Sequence, residues 1–282
     1  MYKVFGIIGD PVSHSLSPVM HNAAFRELGI KAVYGAFLVK SENLAQAVQG
    51  LKALNISGIS VTIPHKEAIL PLLDEVDETA LEIGAVNTVV NYEGYLKGFN
   101  TDWIGVLKAF EEKGINLKGK KIVILGAGGA SRAIIYAVKK AGAKEILLYN
   151  RTFHKAEKLA QYFGIIAYPW DKINQAEGDI IIQATSVGLK SHISPIPEEI
   201  IKRFKVAMDI VYLPLKTKFL SLAEGYALTI DGLRMLLYQG VEQFKLFTGM
   251  EAPVKIMEKV LYEEAKKLER GISLGEKNSS TP

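Results

Sequence analysis

One stretch limits the folds open to this chain more than any other: an apolar run over 122–125 leads without a break into Gly126, Ala127, Gly128, Gly129, Ala130 and Ser131, then into a helical pattern over 131–140. A strand, a glycine-rich turn and a helix in immediate succession make the opening of a dinucleotide-binding unit. Gly126 permits the tight turn, and Gly128 lets the backbone approach a pyrophosphate. The first helical turn offers unpaired N–H groups at the positive end of its dipole. Ala127, Gly129 and Ala130 complete the turn and join these glycines as candidate cofactor contacts. Ser131 stands where the full pattern has its third glycine, so the motif taken alone also fits a purely structural strand, turn and helix.

The next predicted strand, 145–149, finishes in Asn150, Arg151 and Thr152, about 24 positions beyond Gly126. An NAD site usually places an acid there to hold the ribose hydroxyls. Here the Arg151 guanidinium faces a 2′-phosphate favourably, Thr152 adds a hydroxyl, and no carboxylate repels the phosphate. NADP is favoured over NAD. The competing reading of Arg151 is a surface residue near the N-cap of a helix that starts at Phe153.

Around this turn the pattern predicts strands over 121–125, 145–149, 179–183, 206–210 and 227–230 with helices between most of them, which is the parallel, doubly wound α/β class. Upstream, strands over 4–8, 33–39 and 59–63 alternate with helices over 18–28 and 44–54, and a hairpin joins 86–91 to 95–99 around Glu93 and Gly94. A chain of 282 residues suits two domains. The expected organisation is an α/β protein with a mostly parallel substrate-binding and catalytic domain over 1–102 plus 238–270, and a Rossmann-type NADP domain over 103–237. Helices over 233–248 and 253–269 are expected to return to the first domain, and the small, polar tail 271–282 to be disordered.

Composition excludes several classes. There is no cysteine, hence no disulfide, thiolate metal site or cysteine nucleophile, and a reducing cytoplasm is the expected compartment. No apolar run nears the ~20 residues of a membrane span, and the N-terminus lacks a signal-peptide pattern. With 34 basic against 30 acidic residues the charge excess is mild and dispersed, so no nucleic-acid partner is expected. No metal site is expected either.

A second polar constellation lies in the first half. Ser13, Ser15 and Ser17 crowd the start of the first predicted helix, with Ser17 expected as its N-cap and Pro18 as its first residue. Hydroxyls and free N–H groups there make a small neutral cradle for a carboxylate; alternatively one serine caps and two are solvated. Thr62 with Lys66, then Asn87, then Asp102 fall at further strand ends, which converge on one edge of a sheet. A lysine, a carboxylate, an amide and a hydroxyl gathered there suit a polyhydroxylated ring and the handling of its proton. Taken singly, Lys66 also fits a solvated lysine, Asp102 a helix-opening carboxylate and Asn87 a turn residue.

These segments, with 183–188, 209–214 and 231–236 joined by Thr217 and Gln239, resemble the shikimate dehydrogenase family in their order from Gly9 to about Pro253. The resemblance implies NADPH-dependent reduction of 3-dehydroshikimate to shikimate, with Lys66 and Asp102 as the acid/base pair, in a cleft between the domains. It further implies Ser15, Ser17 and Tyr212 on the substrate carboxylate, and Thr62, Asn87 and Gln239 on the ring hydroxyls. Thr185, Gly232 and Met235 are implied near the nicotinamide. Three departures stand out: Ser60 where the family often has Asn, Gln183 where Asn often precedes Ala-Thr, and Leu189 where Met often follows Gly. Other readings are a quinate/shikimate dehydrogenase using NAD, a ligand-sensing paralogue without catalysis, and a methylenetetrahydrofolate dehydrogenase, which the serine-rich loop disfavours. A monomer or a homodimer is expected.

Overall fold

The computed structural model describes the backbone of residues 2–279 and the side chains of residues 2–270. The chain forms two compact units, Met1–Gly105 with Leu237–Leu261, and Val106–Leu236 with Tyr262–Pro282.

The first unit contains β1 (Lys3–Gly9), α1 (Ser17–Glu27), β2 (Ala32–Leu38), α2 (Leu44–Ala53), β3 (Gly58–Val61), α3 (His65–Ala68), β4 (Glu75–Val76), α4 (Glu78–Ile83), β5 (Thr88–Tyr92) and β6 (Tyr95–Phe99). The chain leaves it through α5 (Asp102–Glu112). The sheet order is β2-β1-β3-β5-β6-β4. β1 and β3 are parallel, β5 runs against β3, and β6 runs against β5. Consequently β1, β3 and β6 end on one edge of the sheet, where β5 begins. The central strands are buried on both faces and accordingly read as apolar runs rather than alternations.

On one face Ile8, Val48, Ile59, Val61, Val89 and Leu96 form a continuous core with α2 and the segment around Ile69. On the other, Phe5 packs on Phe25 and Phe247 at ring separations of 5.4 and 5.0 Å. Burying each such ring contributes about 1.5–3 kcal/mol. Gly58 lies under that cluster: a Cβ there would stand 2.7 Å from the Phe247 ring, so the strand approaches the helix only because it carries glycine.

The second unit contains β7 (Lys121–Leu125), α6 (Gly129–Lys140), β8 (Glu145–Asn150), α7 (Phe153–Phe163), β9 (Ile166–Pro169), β10 (Ile180–Gln183), α8 (Glu198–Ile201), β11 (Val206–Asp209), α9 (Lys218–Ala223) and β12 (Leu228–Ile230). All six strands are parallel in the order β12-β11-β10-β7-β8-β9. The order reverses between β7 and β10, which makes their carboxyl ends the switch point at which doubly wound sheets bind ligands. α10 (Gly232–Thr248) and α11 (Val254–Ser279) each contribute to both units.

Several expectations need correction. The α1 helix opens at Ser17 rather than after it, with Leu16 in the N-cap position and no side-chain cap. Pro18 has no N–H to satisfy, and the Ser17 N–H is taken by Ser15 Oγ at 3.3 Å. β9 was not expected from the pattern. Its residues are only partly buried, since it is an edge strand, so the apolar signal is weak. From Tyr262 onward α11 groups with the second unit instead of the first. The Tyr262 hydroxyl donates to the Asp231 carboxylate at 3.1 Å, and the Arg234 guanidinium lies over its ring at 5.2 Å. The backbone of α11 is helical to Ser279; the tail expected to be disordered, 271–282, lies outside the described residues in its side chains, and from 280 in its backbone as well.

Candidate active site

In the first unit the edge where β1, β3 and β6 end gathers the polar residues predicted from the sequence. Ile8 is in register with Val61, Ser60 with Thr88, and Thr88 with Phe99. The segments following β1, β3 and β6, and the one preceding β5, are therefore neighbours, which brings Thr62, Lys66, Asn87 and Asp102 to one edge.

Lys66 lies in the short helix α3. His65 Nε2 fixes that helix on the Val39 carbonyl at 2.6 Å, and the Val86 N–H donates to the Lys66 carbonyl at 2.8 Å. Asp102 is the first residue of α5, where its carboxylate faces the positive end of the helix dipole. The Asp102 N–H is taken by Asn100 Oδ1 at 3.0 Å, and Asn100 Nδ2 donates to the Ala85 carbonyl at 2.8 Å. From these two supports Lys66 Nζ reaches Asp102 Oδ2 at 2.5 Å, with side-chain exposures of 16% and 6%. The other oxygen of the carboxylate accepts from Asn87 Nδ2 at 2.9 Å. Asn87 Nδ2 also donates to Gln239 Oε1 at 3.3 Å, so Asn87 and Gln239 meet as expected for a common site.

The serine cradle differs from its expected form. Ser17 is buried rather than open at the helix start; Ser15, only partly buried, holds the helix-opening N–H. Ser60 is fully engaged: it accepts from Tyr34 at 2.6 Å and donates to Gln243 Oε1 at 2.8 Å. Gln243 and Thr88 were not singled out in the sequence. The signal was present, because Gln243 follows Gln239 by four residues on α10 and so shares its face.

In the second unit the glycine turn has the geometry its motif requires. Gly126 adopts φ +108°, and a Cβ on it would stand 2.8 Å from Thr185 Cγ2 and 2.9 Å from the Ala184 carbonyl. Only glycine fits. At Gly128 a Cβ would meet nothing within 4 Å, which is open space beside the first turn of α6. Ser131, in the place of the third glycine, is buried and donates to the Gly126 carbonyl at 2.7 Å, so it braces the turn from within.

Arg151 follows the last residue of β8 and is exposed, with no hydrogen bond or ion pair to another described residue. Thr152 is the N-cap of α7, yet its side chain makes no capping bond and its hydroxyl is open to a ligand. Asn150 Nδ2 donates to the Thr152 carbonyl at 2.8 Å and shapes the corner. Gln183 accepts the Thr185 N–H at 2.5 Å and donates to the Val187 carbonyl at 2.9 Å, so this departure from the family pattern serves the loop after β10. Met235 is buried, and Gly232 is required by the backbone: a Cβ there would stand 2.5 Å from the Ile210 carbonyl.

Tyr212 lies in the loop after β11, which Asp209 ties together. Asp209 accepts from the Val211 N–H at 2.9 Å and from Thr217 Oγ1 at 2.7 Å. Burial pushes the Asp209 carboxyl up to about 7 against the opposing effect of these two bonds. Among the described residues no group of three or more His, Asp or Glu is placed to hold a metal ion. No helix among the described residues is long and apolar enough to cross a membrane.

A doubly wound parallel unit with a glycine turn at its switch point, joined to a second α/β unit bearing a buried lysine–carboxylate pair, defines the class as a two-unit α/β protein of the dinucleotide-dependent dehydrogenase type. Residues 7–89 match the model of the shikimate dehydrogenase substrate binding domain, residues 108–234 that of shikimate / quinate 5-dehydrogenase, and residues 232–262 that of the shikimate 5'-dehydrogenase C-terminal domain. The chain belongs to the shikimate dehydrogenase family. It is 49% identical to shikimate dehydrogenase (NADP(+)) of Thermococcus kodakarensis over 260 residues, covering 90% of this chain and 94% of the relative. With the Aquifex aeolicus enzyme of the same name it shares 49% over 261 residues, 91% and 95% of the two chains. The crystal structure of shikimate 5-dehydrogenase from Thermus thermophilus in complex with NADP(H) and shikimate superimposes with a TM-score of 0.85 at 40% identity, covering 93% of this chain and 99% of that one.

Proposed function

We propose that the chain catalyses the reversible NADPH-dependent reduction of 3-dehydroshikimate to shikimate, a step in aromatic amino acid biosynthesis, as a cytoplasmic oxidoreductase acting on a CH–OH group. The observation that carries this reading is the Lys66–Asp102 pair, buried beside Asn87 and Gln239 at one sheet edge. Its relatives are named for this activity, and one was solved with both ligands.

Bound NADPH supplies the hydride that reduces the C3 ketone. Gly126, Ala127, Gly128, Gly129 and Ala130 are assigned to its pyrophosphate, Asn150, Arg151 and Thr152 to the adenosine ribose and its 2′-phosphate, and Thr185, Gly232 and Met235 to the nicotinamide end. On the substrate side Ser15, Ser17 and Tyr212 take the carboxylate; Thr62, Asn87 and Gln239 take the ring hydroxyls. Lys66 Nζ donates the proton to the developing alkoxide, and Asp102 holds that ammonium by accepting from it. Oxidation of shikimate returns the proton to Lys66.

The second reading is a dehydrogenase of broader specificity that also takes quinate or NAD, since the model matched by residues 108–234 carries quinate in its description and a neighbour from Listeria monocytogenes was solved with shikimate and NAD. The exposed Arg151 and the lack of an acid at that corner favour NADP. Incubating the protein with 3-dehydroshikimate and NADPH and identifying the product by NMR tests the proposal: shikimate is expected, and unchanged ketone refutes it. A sensor without catalysis predicts binding of both ligands and no product.

A further inference from the structure

Behind the substrate edge a line of buried side chains runs from Tyr34 to Asp102, and two backbone groups fix its direction. Gln243 Nε2 lies 3.1 Å from the Asn87 carbonyl, which only accepts, so the amide nitrogen must face that way and Oε1 must face Ser60. Asn87 Oδ1 accepts the Thr101 N–H at 2.8 Å, which only donates, so Asn87 Nδ2 must face Asp102. The hydroxyls then have no freedom. Ser60 donates to Gln243 Oε1 at 2.8 Å and must accept from Tyr34 at 2.6 Å. Thr88 accepts from Gln243 Nε2 at 3.0 Å and donates to Asn87 Oδ1 at 2.8 Å.

Every donor in the sequence Tyr34, Ser60, Gln243, Thr88, Asn87 therefore points toward Asp102, and Lys66 completes the set from the other side. Tyr34 stays a donor because burial pushes its phenol well above the ordinary range. Its backbone is clamped by Asn22 at 2.9 and 2.8 Å, and its ring is stacked on His21 at 4.5 Å. Ser60, Thr88 and Gln243 are all at most 3% exposed, so water cannot substitute for a missing member. Aligned bonds in such surroundings polarise one another.

We propose that Thr88, Gln243, Ser60 and Tyr34 are positioning residues for the reaction: acting through Asn87, their one-directional hydrogen-bond chain holds the Asp102 carboxylate as an acceptor for Lys66. Ser60, in place of the Asn common in the family, is the link that Gln243 completes. The proposal rests on Lys66 and Asp102 being the acid/base pair.

The test is Thr88→Val, which keeps the volume and removes the hydroxyl, against Thr88→Ser, which keeps the hydroxyl and removes the methyl. Thr88→Val is expected to lower kcat for shikimate oxidation by roughly 10-fold, the size of coupling between bonded neighbours, with the KM for NADP unchanged. Thr88→Ser is expected to recover most of that loss. In an Asn87→Ala background Thr88→Val should add less than about 2-fold, because the link it feeds is already gone. A packing role reverses the order, with Val benign and Ser costly, and additive losses in the double variant contradict the chain. Lys66→Ala and Asp102→Asn serve as controls. If both keep wild-type kcat, the acid/base reading fails and takes the chain with it; if they lose activity while Thr88→Val does not, only the chain is overturned.

Discussion

Lys66 Nζ lies 2.5 Å from Asp102 Oδ2 across a separation of 36 residues, each held by backbone contacts of its own segment. The ammonium is thus placed by two independent strand ends rather than by a flexible loop. Removing it should affect chemistry far more than binding. Lys66→Ala is expected to lower kcat by roughly 10²–10⁴, with the KM for shikimate little changed. Steady-state kinetics decide, and a kcat near wild type would contradict the role.

Arg151 stands exposed at the end of β8 with no hydrogen bond or ion pair to another described residue. Its loss should not disturb the fold. Arg151→Ala is expected to weaken NADPH by about 1.5–3 kcal/mol, the usual worth of a charged hydrogen-bonding contact, while leaving NADH almost unaffected. Fluorescence titration with both cofactors checks this; an unchanged NADPH to NADH ratio would remove Arg151 from the phosphate site.

His21 is buried, and desolvation, opposed by a smaller effect of Gln243, takes its imidazole down to about 3. Below about 6.5 the unfolded chain takes up a proton there that the folded chain refuses, so this group costs stability as the pH falls. His21→Phe should accordingly gain about 1.5–2 kcal/mol relative to wild type between pH 6.5 and 5. Urea unfolding at the two pH values measures the difference, and a pH-independent gap between the proteins would show that His21 titrates normally.

Asp209 works in the opposite sense. Its folded value is raised to about 7 from 3.8, so the stabilisation it gives is full below 3.8 and is lost as the pH rises through 7. Relative to wild type, Asp209→Asn should lose about 2 kcal/mol of stability on going from pH 7 to pH 5, because the wild type gains over that interval and the amide does not. The same unfolding series tests this, and parallel pH curves would refute it.

The glycine turn, the six parallel strands' class and the gathering of Lys66, Asn87 and Asp102 were legible because each rests on local pattern: a motif in context, apolar runs, and polar residues at strand ends. What escaped was set by tertiary packing. β9 is an edge strand with little to bury. Ser17 looked like a cap, yet the helix begins one residue earlier, with Leu16 in the cap position and Ser17 buried. The partners of Ser60 were hidden for the same reason, since Tyr34 and Gln243 come from segments 26 and 183 residues away.

The most direct test of the central claim is the initial rate of absorbance change at 340 nm with shikimate or quinate and NADP or NAD in all four combinations. Shikimate with NADP should give by far the highest kcat/KM, falling sharply with NAD and with quinate. Equal or greater rates with quinate, a preference for NAD, or no turnover in any combination would contradict it.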